Sequence, residues 1–257
     1  MSVALSAHHR QSPARGLLHE AMATTFEITM AHNDPIYARQ AASAAFAELD
    51  VLEQHLSRFI EGSDLWRLNH LGVESGPLAP AAIECLRLAC EAQQQTSGAF
   101  DICYGQSLDL GGIGKGFALD RMAAILVEWD IASALLCASR STLLALGPPP
   151  DQEGWPVCLG PPENMRRINL AYRAIGGSGT AVQGHHIIDP RTGRPATHRF
   201  RAWALAPTAA MADAISTALM VMDDAEIADF CRRRSELEAF VLNEPNGYLT
   251  EHSNHET

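Results

Sequence analysis

Four glycines and one lysine lie between two aspartates in the segment Asp109-Leu110-Gly111-Gly112-Ile113-Gly114-Lys115-Gly116-Phe117-Ala118-Leu119-Asp120, directly before an apolar run of helical character. Glycine is used where a chain turns sharply or approaches a ligand closely. A glycine-rich turn that opens onto a helix presents backbone N–H groups and the positive end of the helix dipole, which suits a phosphate. The spacing matches neither the Gly-x-x-x-x-Gly-Lys-Ser/Thr loop nor the Gly-x-Gly-x-x-Gly fingerprint. Taken alone, a tight strand-to-helix turn with a surface lysine is therefore the simpler interpretation.

Two histidines precede a turn in the segment Gly184-His185-His186-Ile187-Ile188-Asp189-Pro190-Arg191-Thr192-Gly193. Asp-Pro-Arg-Thr-Gly is typical of a turn, because proline fixes φ and glycine accepts a positive φ. Neighbouring side chains of a strand point to opposite faces, so one imidazole can be buried while the other faces a cleft. Histidine is a natural general acid or base near neutral pH. One packed and one solvated histidine is the simpler interpretation of the pair taken alone.

The segment 212–222 combines one carboxylate and one hydroxyl with small or apolar neighbours. Asp213 and Thr217 are four residues apart and share a face of a helix that is expected to be buried nearly all round. A buried carboxylate needs a partner. With a nearby backbone carbonyl, the pair would form an all-oxygen site that suits Mg²⁺ or Ca²⁺. Equally, Asp213 could cap a helix N-terminus while Thr217 bonds to a carbonyl one turn earlier.

The composition is that of an ordinary globular protein, with 257 residues of which 47% are hydrophobic and 19% are charged. A formal net charge of −11 argues against a nucleic-acid-binding surface, which needs a basic stripe. We find no apolar stretch long enough for a membrane helix and no apolar signal-peptide region in 1–16, so we expect a cytoplasmic protein. The six cysteines form no Cys-x-x-Cys pair and are expected to be reduced, buried thiols: Cys85, Cys90, Cys103, Cys137, Cys158 and Cys231.

Hydrophobic periodicity predicts a mixture of helices and strands. Helices are predicted over 35–56, 80–97, 117–129, 209–222 and 224–234, and strands over 24–30, 155–159, 168–175, 202–207 and 237–242. The apolar stretch 134–146 indicates a strand or a hairpin. Because these elements do not alternate in regular βαβ order, we expect an α+β fold with a largely antiparallel sheet. We expect residues 1–16 to be disordered, 17–250 to form one domain and 251–257 to be a polar tail.

Six segments, in this order, resemble the ApbE family of FAD:protein FMN transferases over roughly residues 18–245. They are Met22-Ala23-Thr24-Thr25-Phe26, Ser57-Arg58-Phe59 with Leu68-Asn69, Gly98-Ala99-Phe100-Asp101, 109–120, 186–195 and 212–222. Each segment is short, but the ordered set is specific. The resemblance is that of a divergent member. It implies a single ApbE-like, T-fold-related α+β domain in which a largely antiparallel sheet packs against helices.

The resemblance implies an Mg²⁺-dependent reaction that splits FAD, transfers FMN to a Thr or Ser of a carrier flavoprotein and releases AMP. The expected acceptor sequence is similar to Asp-Gly-x-Ser/Thr-Gly-Ala-Thr. By the same resemblance, His186 and Asp213 are catalytic, with His186 in proton transfer, and the metal is held by the Gly114 carbonyl, Asp213 and Thr217. The cofactor-binding residues that it implies are Met22, Asp101, Gly112, Lys115, Asp120, Ser178, Arg191 and Thr192.

The chain departs from the family pattern at two places. Where the family usually has Asn-x-Gly-Gly-Asp, this chain has Ala138-Ser139-Arg140-Ser141-Thr142, which loses an acidic residue and gains a positive charge. Where the family has Ser-Gly-x-Tyr, this chain has Ser178-Gly179-Thr180-Ala181 and lacks the aromatic ring. Arg140 could pair with a phosphate or fill the pocket. The alternatives to a transferase are an FAD-binding protein with weak or no transfer activity, and an FAD pyrophosphatase that yields FMN and AMP.

Overall fold

The computed structural model describes residues 4–5, 16–105, 107–139, 141–180 and 187–254. Their architecture is α+β, as the sequence predicts. The helices are α1 (Pro35–Leu56), α2 (Asp64–Leu71), α3 (Pro80–Gln95), α4 (Gly114–Glu128), α5 (Ala209–Leu219) and α6 (Asp224–Arg232). The strands are β1 (Ala4–Leu5), β2 (Leu17–Ala21), β3 (Thr24–Met30), β4 (Cys103–Tyr104), β5 (Ser107–Leu108), β6 (Ala134–Ala138), β7 (Thr142–Ala145), β8 (Trp155–Leu159), β9 (Arg166–Leu170), β10 (Arg173–Gly179), β11 (Ile188–Asp189), β12 (Arg194–Pro195), β13 (Arg201–Ala206), β14 (Glu238–Leu242) and β15 (Thr250–Ser253).

Eight strands form one antiparallel sheet in the order β15-β14-β13-β10-β7-β6-β3-β2. Phe26 of β3 pairs with Ala138 of β6, Ala138 pairs with Thr142 of β7, and Thr142 pairs with Gly176 of β10. This register brings the turn at 22–23, the end of β6, the start of β7 and the end of β10 to one edge of the sheet. Segments far apart in the sequence therefore meet at this edge.

Helices α1, α4 and α5 pack on one face of the sheet and enclose the larger hydrophobic core with it. Helix α5 lies so close to β10 that a Cβ atom on Gly176 would lie 2.2 Å from the carbonyl oxygen of Ala212. Only glycine fits such an approach. The close packing places Asp213 and Thr217, on the same helix, against the end of β10.

The opposite face of the sheet carries a second hydrophobic core, which includes Trp155, Trp203 and Phe240. A three-stranded sheet in the order β1-β8-β9 covers this face. The sheet is therefore covered on both faces. Across the described ranges, we find no helix that is both long enough and apolar enough to span a membrane.

Several boundaries differ from the sequence-based expectation. Helix α4 begins at Gly114 rather than at 117, so Lys115 lies in a helical first turn and not in a loop. The stretch 168–175 is part of two strands, β9 and β10, which belong to different sheets and are separated at Tyr172, where φ is 54°. Helices α3 and α5 end at Gln95 and Leu219, before the predicted 97 and 222.

The termini and the cysteines also depart in part from expectation. Strand β1 pairs with β8 although it lies within the segment that we expected to be disordered, and β15 occupies the start of the expected polar tail. The rest of 1–15 and 255–257 lies outside the described residues. Four cysteines are buried as predicted, but Cys90 and Cys103 are exposed.

Candidate active site

Asp213 is the centre of the candidate site. It is only 3% exposed, although it carries a carboxylate. The Thr142 hydroxyl donates to its Oδ1 at 2.9 Å, and the backbone N–H of Gly116 donates to its Oδ2 at 3.2 Å. The ammonium nitrogen of Lys115 lies 3.4 Å from the same Oδ2. Two hydrogen-bond donors and one cation thus provide the partners that a buried carboxylate requires.

Thr142 is a residue of this site that the sequence analysis did not name as functional. It is fully buried at the start of β7, and its side chain points at Asp213. From the sequence, this position is notable only because it lacks the acidic residue that the family usually has. Because an aspartate here would place a second negative charge beside Asp213, the hydroxyl holds the carboxylate without repulsion. The departure from the family motif was itself the signal that could have identified it.

Three hydroxyls form a cluster next to the backbone of Asp213. The Oγ of Ser178 lies 2.9 Å from that of Ser216 and 3.1 Å from Oγ1 of Thr217. Thr217 also donates to the carbonyl of Asp213 at 3.2 Å, which is the bond to the preceding turn that the sequence left open. A hydroxyl that donates its proton keeps lone pairs to accept with. The bond to the preceding turn therefore leaves Thr217 able to bind a cation.

Asp213 lies on α5 but caps the N-terminus of α4. Thr208 is the N-cap of α5, whereas Ile113, the N-cap of α4, has no side-chain acceptor to offer. The Asp213 carboxylate takes that place by accepting the Gly116 amide in the first turn of α4. It therefore fixes the helix start that carries the predicted metal ligand Gly114.

Asp120 performs the reverse capping. Its two oxygens accept the backbone N–H groups of Ala209 and Ala210, each at 2.8 Å, in the first turn of α5. Burial raises the pKa of Asp120 to about 6; these two hydrogen bonds oppose the increase, and the charges of Asp213 and Glu84 add to it. Both oxygens of this predicted cofactor-binding residue are thus bonded within the fold.

The backbone of the glycine-rich segment is largely bonded within the fold. The N–H of Gly111 donates to the Asp109 carboxylate at 2.8 Å, and that of Gly114 donates to the Leu110 carbonyl at 2.7 Å. The Gly116 amide is bonded to Asp213, as described above. The segment's positive group is therefore the Lys115 ammonium, rather than an open row of amides.

Gly112 lies beside the hydroxyl cluster. A Cβ atom on it would lie 3.0 Å from the Phe100 ring and 3.3 Å from Oγ1 of Thr217. A side chain would thus intrude on both neighbours. The glycine keeps the backbone close to Thr217, which fits its predicted place in the site.

Asp101, Arg191 and Thr192 lie in two neighbouring segments. Asp101 accepts from Gln93 Nε2 and from the Cys103 amide, each at 2.8 Å. Arg191 donates to Asp189 at 2.9 Å and to Glu226 at 2.6 Å, and these carboxylates raise its guanidinium pKa. Its charge is thus largely balanced within the fold. Thr192 accepts from the Arg194 amide at 3.3 Å inside the same turn.

The two segments lie near each other and near the glycine-rich segment. A Cβ atom on Gly98 would lie 3.7 Å from Cγ of Arg191. Phe100, two residues further on, contacts Gly112. The segment 98–101 therefore lies between the 189–193 turn and the Asp213 site, so the structure brings these predicted residues into one region.

Met22 lies at the same sheet edge, beside a separate cavity. It occupies the turn between β2 and β3 with φ 51°, and its N–H donates to Glu53 Oε1 at 2.6 Å. A cavity of about 440 Å³ opens here, lined by Glu20, Ala21, Ala23, Thr24, Thr25 and Glu53. The carbonyl of Thr25 accepts from the Ser139 amide at 3.0 Å, which links β3 to the residue that follows β6.

His186 and Arg140 lie outside the described residues. The proton-transfer role of His186 and the effect of Arg140 therefore remain predictions. The turn that follows His186 is described, and its Ile187 carbonyl accepts from the Ala196 amide at 2.8 Å.

The donors around Asp213 fit a hard divalent cation. One carboxylate, the hydroxyls of Ser178 and Thr217 and nearby backbone carbonyls are all oxygen ligands, which Mg²⁺ prefers. The Lys115 ammonium already places positive charge against that carboxylate. Within the described ranges, we find no group of three or more His, Cys, Asp or Glu side chains that could hold a metal. A site with one carboxylate suits Mg²⁺ that is shared with substrate phosphates.

Comparison with known proteins identifies relatives over most of the chain. The model of the ApbE family matches residues 22–108 and 104–241. A protein from Klebsiella pneumoniae named FAD:protein FMN transferase is 23% identical, over 90% of this chain and 85% of its own length. A protein of the same name from Salmonella typhimurium is also 23% identical, over 93% of this chain and 87% of its own length.

Solved structures show the same fold. The flavinyl transferase ApbE of Pseudomonas stutzeri, in its apo form, superimposes with a TM-score of 0.81 at 21% identity, over 93% of this chain and 94% of that one. The flavin transferase ApbE of Vibrio cholerae gives a TM-score of 0.78 at 19% identity, over 93% and 96%. With the fold, the ordered motifs and the family match in agreement, this chain belongs to the ApbE family.

Proposed function

We propose that this chain is an Mg²⁺-dependent FAD:protein FMN transferase, which moves FMN from FAD to a Thr or Ser of a carrier flavoprotein. Membership of the ApbE family and the names of its relatives support the reaction class. The observation that carries the proposal for this chain is the convergence on Asp213 of one cation, two donors and a hydroxyl cluster, at the start of α4. Such a set of oxygens and one lysine suits a diphosphate with its metal.

In this proposal the Gly114 carbonyl, Asp213 and Thr217 would hold the metal beside the FAD diphosphate. When bound, Mg²⁺ neutralises part of the diphosphate charge and makes phosphorus more electrophilic. Lys115, whose ammonium lies beside Asp213, supplies a second positive charge for the diphosphate. Asp120 acts through the fold, since it caps α5 and so positions Asp213.

The transfer exchanges one P–O bond for another. The acceptor hydroxyl oxygen bonds to the phosphorus of the FMN moiety, the bond from that phosphorus to the bridging oxygen breaks, and AMP leaves with its electron pair. The hydroxyl proton must go to a base. We propose His186 for this role from the family resemblance, with a carboxylate as the alternative base.

The remaining predicted residues would extend the site on both sides of Asp213. Gly112 and Ser178 lie beside Thr217, while Asp101, Arg191 and Thr192 lie beyond Phe100. Because Arg191 already contacts two carboxylates, we propose that it holds its turn in place and offers little free charge to a phosphate. Met22 lies in the turn between β2 and β3, whose neighbouring residues Ala21 and Ala23 line the 440 Å³ cavity.

A direct assay tests the proposal. The protein is incubated with FAD, Mg²⁺ and a carrier domain that bears an Asp-Gly-x-Ser/Thr-Gly-Ala-Thr sequence, and covalent flavin is read as fluorescence on a denaturing gel. An active relative serves as the positive control, and EDTA serves as the metal-free control. We expect fluorescence on the carrier, with AMP release, only when Mg²⁺ is present.

The same assay separates the alternatives. AMP release without a carrier would indicate an FAD pyrophosphatase. FAD binding by titration, with neither AMP release nor transfer, would indicate a binding protein and contradict the proposed transferase. The Thr142–Asp213 bond favours the transferase, because the position that departs from the family motif still supports the carboxylate.

A further inference from the structure

Lys115 is the only lysine in the sequence; the other 18 of the 19 Lys and Arg residues are arginine. This single ammonium lies at the candidate site. Its Nζ donates to the Gly111 carbonyl at 2.8 Å and lies 3.4 Å from Oδ2 of Asp213. The side chain is 24% exposed, so its position is largely enclosed.

The ammonium has the contacts of a bound cation. Its two neighbours are a backbone carbonyl and a carboxylate oxygen, which are the ligand types that Mg²⁺ uses. A lysine head group is a compact point charge, whereas a guanidinium is planar and broad. Asp213 uses Oδ1 for Thr142 and uses Oδ2 for the Gly116 amide as well as for this ammonium. A metal at Oδ2 and the ammonium would therefore compete for the same oxygen.

We propose that Lys115 is a resident counter-cation, which occupies the cation position on Asp213 until a metal bound to a diphosphate displaces it. The proposal rests on the proposed function for the identity of the ligand. A divalent ion and an ammonium repel each other at this separation, so the lysine must move when the metal arrives. The long side chain can then turn its charge toward a phosphate oxygen. The consequence is weak metal binding without nucleotide and strong binding with it.

Metal binding to the nucleotide-free protein tests this competition directly. Mn²⁺ is titrated into the wild type, Lys115→Met and Lys115→Arg, and free Mn²⁺ is read by electron paramagnetic resonance. We expect Lys115→Met to bind Mn²⁺ roughly tenfold more tightly than the wild type, because a repelling charge is removed. Lys115→Arg keeps the charge and is expected to bind as weakly as the wild type. Equal or weaker binding by Lys115→Met would overturn the proposal, and so would a failure of all three proteins to bind Mn²⁺.

A second measurement can be made on the wild-type protein. Because the chain has one lysine, acetylation by an amine-reactive ester reports on Lys115 alone, with the N-terminal amine as the internal reference. We expect MgCl₂, at a concentration high enough to fill the weak metal site of the nucleotide-free protein, to increase the acetylation rate of Lys115 several-fold relative to NaCl of equal ionic strength. In Asp213→Asn the rate is expected not to respond to Mg²⁺. An unchanged or slower rate in the wild type contradicts displacement.

These results are independent of the transfer assay. If transfer fails while Lys115→Met binds Mn²⁺ more tightly, the counter-cation is supported and the proposed function is wrong. If transfer succeeds while Mn²⁺ affinity and acetylation do not respond, the counter-cation is wrong and the proposed function stands.

Discussion

Asp120 and Asp213 each cap the helix that carries the other. Asp120 lies on α4 and accepts the first two amides of α5, while Asp213 lies on α5 and accepts the Gly116 amide of α4. Gly116 precedes Asp120 by four residues, and Ala209 precedes Asp213 by four. Each carboxylate therefore lies on the same helix face as the residue whose backbone meets the partner helix. The two helix starts are fixed relative to one another, and with them the site.

This pairing predicts a pH-dependent stability that originates from Asp120. Its pKa of about 6 is above the unfolded value of 3.8, so between these values the folded state holds a proton that the unfolded state has released. The stabilisation is fully present below pH 3.8 and is lost as the pH rises to about 6. Its size is on the order of 3 kcal/mol.

Urea unfolding at several pH values between 4 and 7 measures this effect. Asp120→Asn cannot titrate, so its free energy of unfolding should decrease less than that of the wild type over this range. Other groups titrate equally in both proteins and cancel in the difference. Parallel curves for the two proteins would show that burial of Asp120 does not control this dependence.

Gly116 and Gly114 form a matched pair within one helical turn. A Cβ atom at position 116 would lie 2.1 Å from the Ala209 carbonyl oxygen, whereas one at 114 would meet only Leu110 Cβ at 3.6 Å. We expect Gly116→Ala to lower the free energy of unfolding by about 3 kcal/mol through overpacking. Gly114→Ala should be neutral or stabilise by up to about 1 kcal/mol, and it keeps the carbonyl that we propose as a metal ligand. Thermal unfolding measures both, and equal losses would contradict the packing argument.

The Thr142 hydroxyl should matter more than its methyl group. Thr142→Val removes a donor from a buried carboxylate and should lower the free energy of unfolding by about 1–3 kcal/mol. Thr142→Ser keeps the donor and should remain closer to the wild type. Denaturant unfolding of the three proteins checks the order. A valine variant as stable as the serine variant would mean that the hydrogen bond contributes little.

Asp213→Asn tests the charge of the proposed metal ligand. The amide oxygen can still ligate Mg²⁺ but carries no negative charge, so the Mg²⁺-dependent release of AMP from FAD should decrease by about a hundredfold. The variant also turns an N–H donor toward either Gly116 or Thr142, so its folding is checked by circular dichroism. A folded Asp213→Asn protein with wild-type AMP release would remove Asp213 from the proposed site.

Much of the fold could be predicted because hydrophobic periodicity is local. The bounds of β3 and α1 agree with the prediction at both ends, since a capping Asp34 and alternating apolar residues mark them. The break at Tyr172 could not be predicted, because a positive φ is usually indicated by a glycine and this position has a tyrosine. The start of α4 was also missed, because two glycines lower helix propensity there while Asp213, distant in sequence, supplies the cap.

The sequence by itself determined the chemistry of the candidate site: one carboxylate, several hydroxyls and a single lysine, in segments whose order resembles the ApbE family. It also determined that Asp213 and Thr217 share a helix face, because the helical repeat is local. Only the tertiary structure decided which atoms each group meets. The Asp120 carboxylate bonds α5, Thr142 bonds Asp213, and Lys115 lies in the position of a cation. These contacts depend on the close approach of α4, α5 and β10, which is set by packing between segments that are tens of residues apart in the sequence.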